Sequence, residues 1–228
     1  AEQGADVAIN YHSSRDAAED VAKQVRDLGR RAAVYQADVR SFDECKRMVD
    51  AALADFSEID ILVNNAGIGY ETFGTPLATD IEPEHLQQYL DYNTFGSLYM
   101  CKLVVPQMRA LPRGDVIMVS SFSAQALRAH MGAYSVSKAG MEALARVLAK
   151  EERENGIRVN IVAPGLVDTA MGDGFLGSVS AEKTQYAENA PFGFICQPED
   201  VANAIRYLVS DAGRYITGER ITVNGGGY

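Results

Sequence analysis

Six short apolar runs punctuate this chain, most of them separated by a segment with helical periodicity, and that alternation restricts the fold more than any other feature. Residues 7–10, 32–35, 61–64, 116–119, 159–163 and 221–223 are too short for helices, rich in branched apolar side chains, and read as buried strands. Between them, residues 15–28 place Ala18, Val21, Ala22, Val25 and Leu28 on one face, with Gly29 as a C-terminal stop. Residues 41–56 turn Met48, Val49, Ala52, Leu53 and Phe56 inward behind Ser41 or Asp43 as N-cap. Longer helical patterns cover 84–110, 134–154 and 198–209. Parallel strands need crossover connections, and helices provide them. The expected fold is therefore α/β, a doubly wound parallel sheet flanked by helices with right-handed crossovers.

A chain of 228 residues with 47% hydrophobic content can bury one substantial core, and no Pro/Gly/Ser-rich linker divides it, so residues 1–228 are expected to form one domain. The formal charge of -10 argues against nonspecific binding to nucleic acid or to an anionic membrane. Cys45, Cys101 and Cys196 are scattered, odd in number and without metal-ligand spacing, which suits reduced thiols in a cytoplasm. His12, His85 and His130 are equally dispersed, so no metal site is expected. Neither a signal peptide nor a long apolar span is present, which suits a soluble intracellular protein.

Chemistry enters with Tyr134 and Lys138, four apart on one helix face. An ammonium beside a phenol favours the phenolate, and so lowers a pKa that ordinarily lies near ~10. Alone the pair carries little weight, because eleven tyrosines make a chance match easy and a surface helix pair explains it equally well. Its neighbours decide the matter. Upstream lie Asp60-Ile61-Leu62-Val63-Asn64-Asn65-Ala66-Gly67, then Asn93 within Leu90-Asp91-Tyr92-Asn93-Thr94, then an apolar run closing on Ser120 and Ser121. Downstream lies Asn160-Ile161-Val162-Ala163-Pro164-Gly165-Leu166-Val167-Asp168-Thr169. This ordered series, with Ser121 thirteen residues before Tyr134, closely resembles the classical short-chain dehydrogenase/reductase family from Ala1 to Tyr228.

The resemblance implies a Rossmann-type fold and a catalytic set of Asn93, Ser121, Tyr134 and Lys138. Tyr134 would be the general acid/base, and Lys138 would lower its pKa and hold the nicotinamide ribose. Ser121 would donate to the substrate oxygen, while Asn93 would bend its helix and support a proton relay. Asp38 and Val39 match the positions that meet adenine, although Asp38 alone reads equally well as a helix cap. Asn65, Ala66 and Gly67 would let backbone approach the cofactor closely. Asn64 would brace neighbouring strands. Pro164, Gly165, Val167 and Thr169 would hold the carboxamide, or form only a turn. At the end of the first strand no acid occurs before Asp16, and His12 and Ser13 suit a 2'-phosphate. NADP(H) is favoured, with NAD(H) left open. Ser13 or Ser14 acting merely as a helix cap is the competing explanation.

The chain opens as if on the last turn of a helix feeding a strand. A preceding strand, glycine-rich turn and helix start of roughly 25 to 30 residues are therefore expected in the natural polypeptide. Residues 171–194, with Met171, Phe175, Leu176, Phe192 and Phe194, resemble a lid over the substrate. Tyr70, Phe73, Phe122 and Leu127 could add apolar walls, which would favour ketones, acyl chains or small aromatics. By resemblance, pairing through helices 84–110 and 134–154, and then through the last strand and its preceding helix, would give a homotetramer, or else a homodimer. The leading reading is an NADP(H)-dependent oxidoreductase interconverting a small-molecule carbonyl and alcohol, similar to the 3-oxoacyl-carrier-protein reductases and glucose 1-dehydrogenase relatives. The alternative is a noncatalytic binding protein or an inactive fragment.

Overall fold

The computed structural model describes residues 1–178, 182–190 and 192–226. Every expected strand forms. They are β1 (Val7–Tyr11), β2 (Ala32–Gln36), β3 (Ile61–Asn64), β4 (Gly114–Val119), β5 (Ile157–Pro164) and β6 (Arg220–Val223). Helices α1 (Arg15–Asp27), α2 (Phe42–Phe56), α3 (Pro83–Leu90) and α4 (Gly96–Met108) separate the first four strands. Beyond β4 come α5 (Ser123–Ala126), α6 (Gly132–Glu152), α7 (Ala170–Ser178), α8 (Lys183–Glu188) and α9 (Pro198–Val209).

All ladders are parallel, as in an α/β fold: β1 pairs with β2, and β3, β4, β5 and β6 form a second run in that order. Among the described residues no ladder joins β1 to β3. This limits how much of the sheet is buried. Only β4 and β5 are buried at every position, whereas β3 alternates and leaves Ile61 and Val63 exposed. The expectation of six fully buried strands therefore holds for two, because a strand paired on one side leaves part of its surface uncovered.

The core lies on both faces of β4 and β5. One face packs Val116, Met118, Val159 and Ile161 against Val104 and Met108 of α4 and Met141 and Ala145 of α6. Across the sheet, Ile117, Val119 and Val162 meet Leu208 of α9. Fully burying one such side chain contributes about 1.5–3 kcal/mol, so these two layers fix β4 and β5 as the rigid centre.

Local signals at helix ends are realised with two adjustments. Gly29 adopts φ +76° and donates to Arg26 O at 2.8 Å, and Arg30 N reaches Val25 O at 3.3 Å, which closes α1. Ser41, not Asp43, caps α2, accepting from Glu44 N at 3.3 Å. The apolar face of α1 is narrower than its periodicity suggests. Ala18, Ala22 and Val25 are buried, but Val21 and Leu28 are 47% and 54% exposed, because α1 covers only β1 and β2. The 84–110 pattern is not one α-helix either: a π turn over Asp91–Phe95 separates α3 from α4. Among the described residues no helix is long and apolar enough to cross a membrane.

Candidate active site

The carboxyl ends of β3, β4 and β5 face the start of α6, where ligands bind in open α/β sheets. There the structure brings together residues drawn from distant stretches of chain. Tyr134 and Lys138 occupy successive turns of α6 and both are buried, with Lys138 Nζ 5.9 Å from the centroid of the Tyr134 ring. The ammonium donates to the backbone carbonyl of Val119 at 3.0 Å, which ties it to the end of β4. Ser121 follows one residue after Ser120 at that strand end; its hydroxyl accepts from Ser123 N at 3.2 Å and acts on the Tyr134 phenol, favouring its ionised form.

The π turn explains how Asn93 reaches this cluster. An extra residue in one helical turn rotates the side chains beyond it and frees a carbonyl from the regular ladder. Asn93 is fully buried: Oδ1 accepts from Ile68 N at 3.1 Å, and Nδ2 donates to Ile68 O at 3.2 Å and to Ser137 Oγ at 3.0 Å. Its own carbonyl accepts from Ser97 Oγ at 3.1 Å. The expected local bend at Asn93 is thus present, and the side chain clamps the loop after β3 onto α6.

Gly67 sits under that clamp. A Cβ there would lie 3.5 Å from Lys138 Nζ but only 2.4 Å from Asn93 Oδ1, closer than any side chain could pack. We expect Gly67→Ala to destabilise the protein by about 1–3 kcal/mol, since Asn93 must give up its bonds to Ile68. Urea unfolding tests this, and an unchanged midpoint would show the loop to be pliable.

Electrostatics reverse one expectation. Burial dominates at Tyr134 and pushes its phenol above the usual tyrosine value, with Ser121 pulling the other way. Lys138 is itself driven down by burial to about 8. The anticipated depression of the phenol pKa by Lys138 is therefore not what this geometry produces. The desolvation follows from aromatic cover: Tyr70 packs 4.5 Å, and Tyr89 6.0 Å, from the Tyr134 ring, and Phe175 of α7 lies 5.5 Å from Tyr70.

The remaining candidate residues fall into two groups. His12 and Ser13 are exposed beyond β1, and Ser14 makes no side-chain cap to α1, so capping does not account for that hydroxyl. His12 Nε2 stands 3.7 Å from an Asp38 carboxylate oxygen. Asp38 does not cap α2; hydrogen bonds from Arg40, the shortest at 2.6 Å, hold its carboxyl below the ordinary aspartate value. The adjacent Val39 is buried. Asn65 and Ala66 are exposed at the end of β3, whereas Asn64 points inward, with Nδ2 3.3 Å from Met118 Sδ. Past β5, Gly165 N donates to Val223 O at 2.9 Å and Val167 bridges to Cys196. The Thr169 hydroxyl accepts from Gly172 N at 3.2 Å, a local role at the start of α7 that sequence reasoning did not assign. Of the expected lid, residues 179–181 and 191 lie outside the described residues.

Sequence reasoning missed two features beside the site. His85 stacks on Phe73 at 4.1 Å and, with Tyr89, completes an aromatic pocket opening on Tyr134. The helical periodicity of 84–110 placed both residues on a helix without showing which loop they would meet. Glu142 and Arg220 also converge below Ser121.

A parallel, helix-covered sheet with a lysine, a tyrosine and a serine gathered at its strand ends defines a nicotinamide-dependent oxidoreductase. Comparison with known proteins agrees. The family described as "Enoyl-(Acyl carrier protein) reductase" matches residues 1–227. The 3-oxoacyl-[acyl-carrier-protein] reductase FabG of Staphylococcus epidermidis is 33% identical over 228 residues, covering 100% of this chain and 91% of the relative. A chloroplastic NADPH-dependent aldehyde reductase-like protein of Arabidopsis thaliana is 34% identical, covering 99% of this chain and 86% of that protein. Among solved structures, a 7α-hydroxysteroid dehydrogenase complexed with NADH and 7-oxo glycochenodeoxycholic acid superposes with a TM-score of 0.89 at 32% identity, covering 100% of this chain and 86% of that one. This chain belongs to the classical short-chain dehydrogenase/reductase family, and within it is similar to the 3-oxoacyl-carrier-protein reductases.

Proposed function

We propose that this chain acts as one dinucleotide-binding and catalytic domain, residues 1–228, that reduces a small-molecule carbonyl with NADPH. The observation that carries this reading is the convergence of Ser121, Tyr134 and Lys138 at the ends of β4 and α6. The residues present fit a dinucleotide, because Asn65 and Ala66 stand exposed where β3 ends and Gly67 adds no side chain beside them. His12 and Ser13 would face the adenosine phosphate, Asp38 and Val39 the adenine, and Asn65 to Gly67 the ribose. Pro164, Gly165, Val167 and Thr169 would flank the carboxamide, with Tyr134 and Lys138 beside the nicotinamide ribose. When bound, the nicotinamide supplies the hydride.

The protein's own part is proton transfer and charge stabilisation. Tyr134 Oη donates its proton to the oxygen that gains charge, and Ser121 Oγ donates a hydrogen bond to the same oxygen. Lys138 stabilises the phenolate left behind, and a proton drawn from solvent restores the phenol, with Asn93 supporting the relay. Because burial keeps Tyr134 protonated through neutral pH, the reductive direction is favoured there. The aromatic wall of Tyr70, Phe73, Tyr89 and Phe175 suits an apolar ketone. Exposed Leu98 on α4 and Val136 and Val147 on α6 support assembly through those helices into a dimer or tetramer. Three free cysteines support residence in the cytoplasm.

Titration with NADPH and NADH, followed by nicotinamide fluorescence, tests this reading, and failure to bind either would overturn it. For the nucleotide preference, we expect His12→Asp combined with Ser13→Ala to lower the ratio of NADPH to NADH efficiency at least about tenfold. A carboxylate at position 12 repels a 2'-phosphate and accepts from a 2'-hydroxyl. A ratio that stays put would assign the preference elsewhere.

A further inference from the structure

Glu142 lies four residues beyond Lys138 and eight beyond Tyr134, so all three share one face of α6. Its side chain is only 2% exposed, yet both oxygens are engaged. Oε1 accepts from Ser120 Oγ at 2.9 Å and from Arg220 Nε at 2.7 Å. Oε2 accepts from Gln125 Nε2 at 3.1 Å and from Arg146 at 3.4 Å. Arg220, at the start of β6 and 10% exposed, donates through a second nitrogen to the carbonyl oxygen of Ser121 at 3.1 Å. Its third guanidinium nitrogen reaches Thr222 Oγ1 at 2.5 Å. The segment around Ser121 is therefore held at residue 120, at residue 121 itself and at residue 125, with every hold converging on one carboxylate.

A buried ion pair is weak evidence for stability, because removing two charges from water offsets most of their attraction; what it provides is fixed geometry. We propose that Glu142 and Arg220 are positioning residues that set the Ser121 hydroxyl against the Tyr134 phenol. This rests on the roles of Ser121 and Tyr134 given above. Ser121 belongs to the end of β4 and Tyr134 to α6, and the Glu142 carboxylate ties the two elements directly. A misplacement of about 1 Å at a reacting centre can lower turnover about a hundredfold, so such a tie has kinetic consequences.

A double-mutant cycle on the full chain tests the proposal, with NADPH and either ethyl acetoacetate or an aromatic diketone as probes. Glu142→Gln is expected to lower kcat about tenfold or more, with the KM for NADPH changed less than about twofold. In a Ser121→Ala background the same substitution should change kcat less than about twofold, because the hydroxyl it aims is gone. Equal losses in both backgrounds, or no loss in the first, would overturn the positioning role while leaving the functional reading intact. Should Glu142→Gln not fold, Ser120→Ala run through the same cycle decides the question, since it removes one hold without baring a charge. Wild-type turnover by Ser121→Ala, or a wild-type protein that reduces neither probe, would overturn the functional reading and this proposal together.

Discussion

Tyr134→Phe is expected to lower kcat about a thousandfold while leaving the fold and NADPH binding in place. The substitution removes one oxygen and no packing: the ring stays against Tyr70 at 4.5 Å and Tyr89 at 6.0 Å. Positioned general acid catalysis is worth about 10² to 10⁴ in rate, and the phenol is placed to deliver all of it. The same burial sets the pH behaviour. With its pKa raised by desolvation, Tyr134 is protonated across the neutral range and ready to donate. The reverse, alcohol-oxidising reaction needs the phenolate, so its rate should climb about tenfold per pH unit from neutrality upward. Measuring kcat in both directions against pH, for wild type and Tyr134→Phe, checks both statements. A variant that keeps turnover within about tenfold of wild type would remove Tyr134 from the proton-transfer step.

Lys138→Met is expected to abolish turnover and yet to stabilise the free protein at neutral pH. In the unfolded chain the lysine holds its proton up to a pKa of about 10.5, whereas burial brings the folded value to about 8. Between those two pH values the unfolded state binds more protons, so the wild-type protein gains stability as pH rises through that window. Below about pH 8 the full penalty of a buried ammonium is present, on the order of 3 kcal/mol at about 1.4 kcal/mol per pKa unit. Methionine removes that penalty but leaves the Val119 carbonyl without its 3.0 Å partner, a loss of about 1 kcal/mol. The net expectation is about 2 kcal/mol of added stability at pH 7, shrinking toward zero near pH 10. Urea unfolding of both proteins at several pH values reads the difference directly. A variant less stable than wild type at pH 7 would mean that Lys138 anchors the strand end more than it strains the core.

Much of this was legible in the sequence, and the rest was hidden for identifiable reasons. Strand positions showed because apolar runs of four or five residues between helical patterns have few other readings. The gathering of Ser121, Tyr134 and Lys138 followed from motif order. The sign of the Tyr134 shift did not, because it depends on Tyr70, Tyr89 and Phe175 arriving from three separate segments to exclude water. A spacing of four residues announces a charge nearby, but it says nothing about desolvation. Val21 and Leu28 were misplaced for the converse reason, since a helical stripe shows which residues can be buried and not how wide a sheet waits beneath. Glu142 looks like an ordinary surface glutamate on a helix until Arg220, 78 residues later, closes over it.

The shared face of α6 has a consequence for how such a protein changes over time. Tyr134, Lys138 and Glu142 ride on one 21-residue helix whose Met141, Ala145 and Ala149 are locked into the central core. The groups proposed to wall the substrate pocket, among them Tyr70, Phe73 and Phe175, sit on the segment after β3 and on α7. The groups proposed for proton transfer and most of these walls therefore sit on different elements, which meet where Tyr70 packs on Tyr134. New substrates can be explored by exchanging Phe73 and Phe175, whose ring partners are other wall residues, whereas a change at Tyr70 would also alter the burial of Tyr134; the evolvable part of the molecule is thereby set one layer away from the part that must not drift.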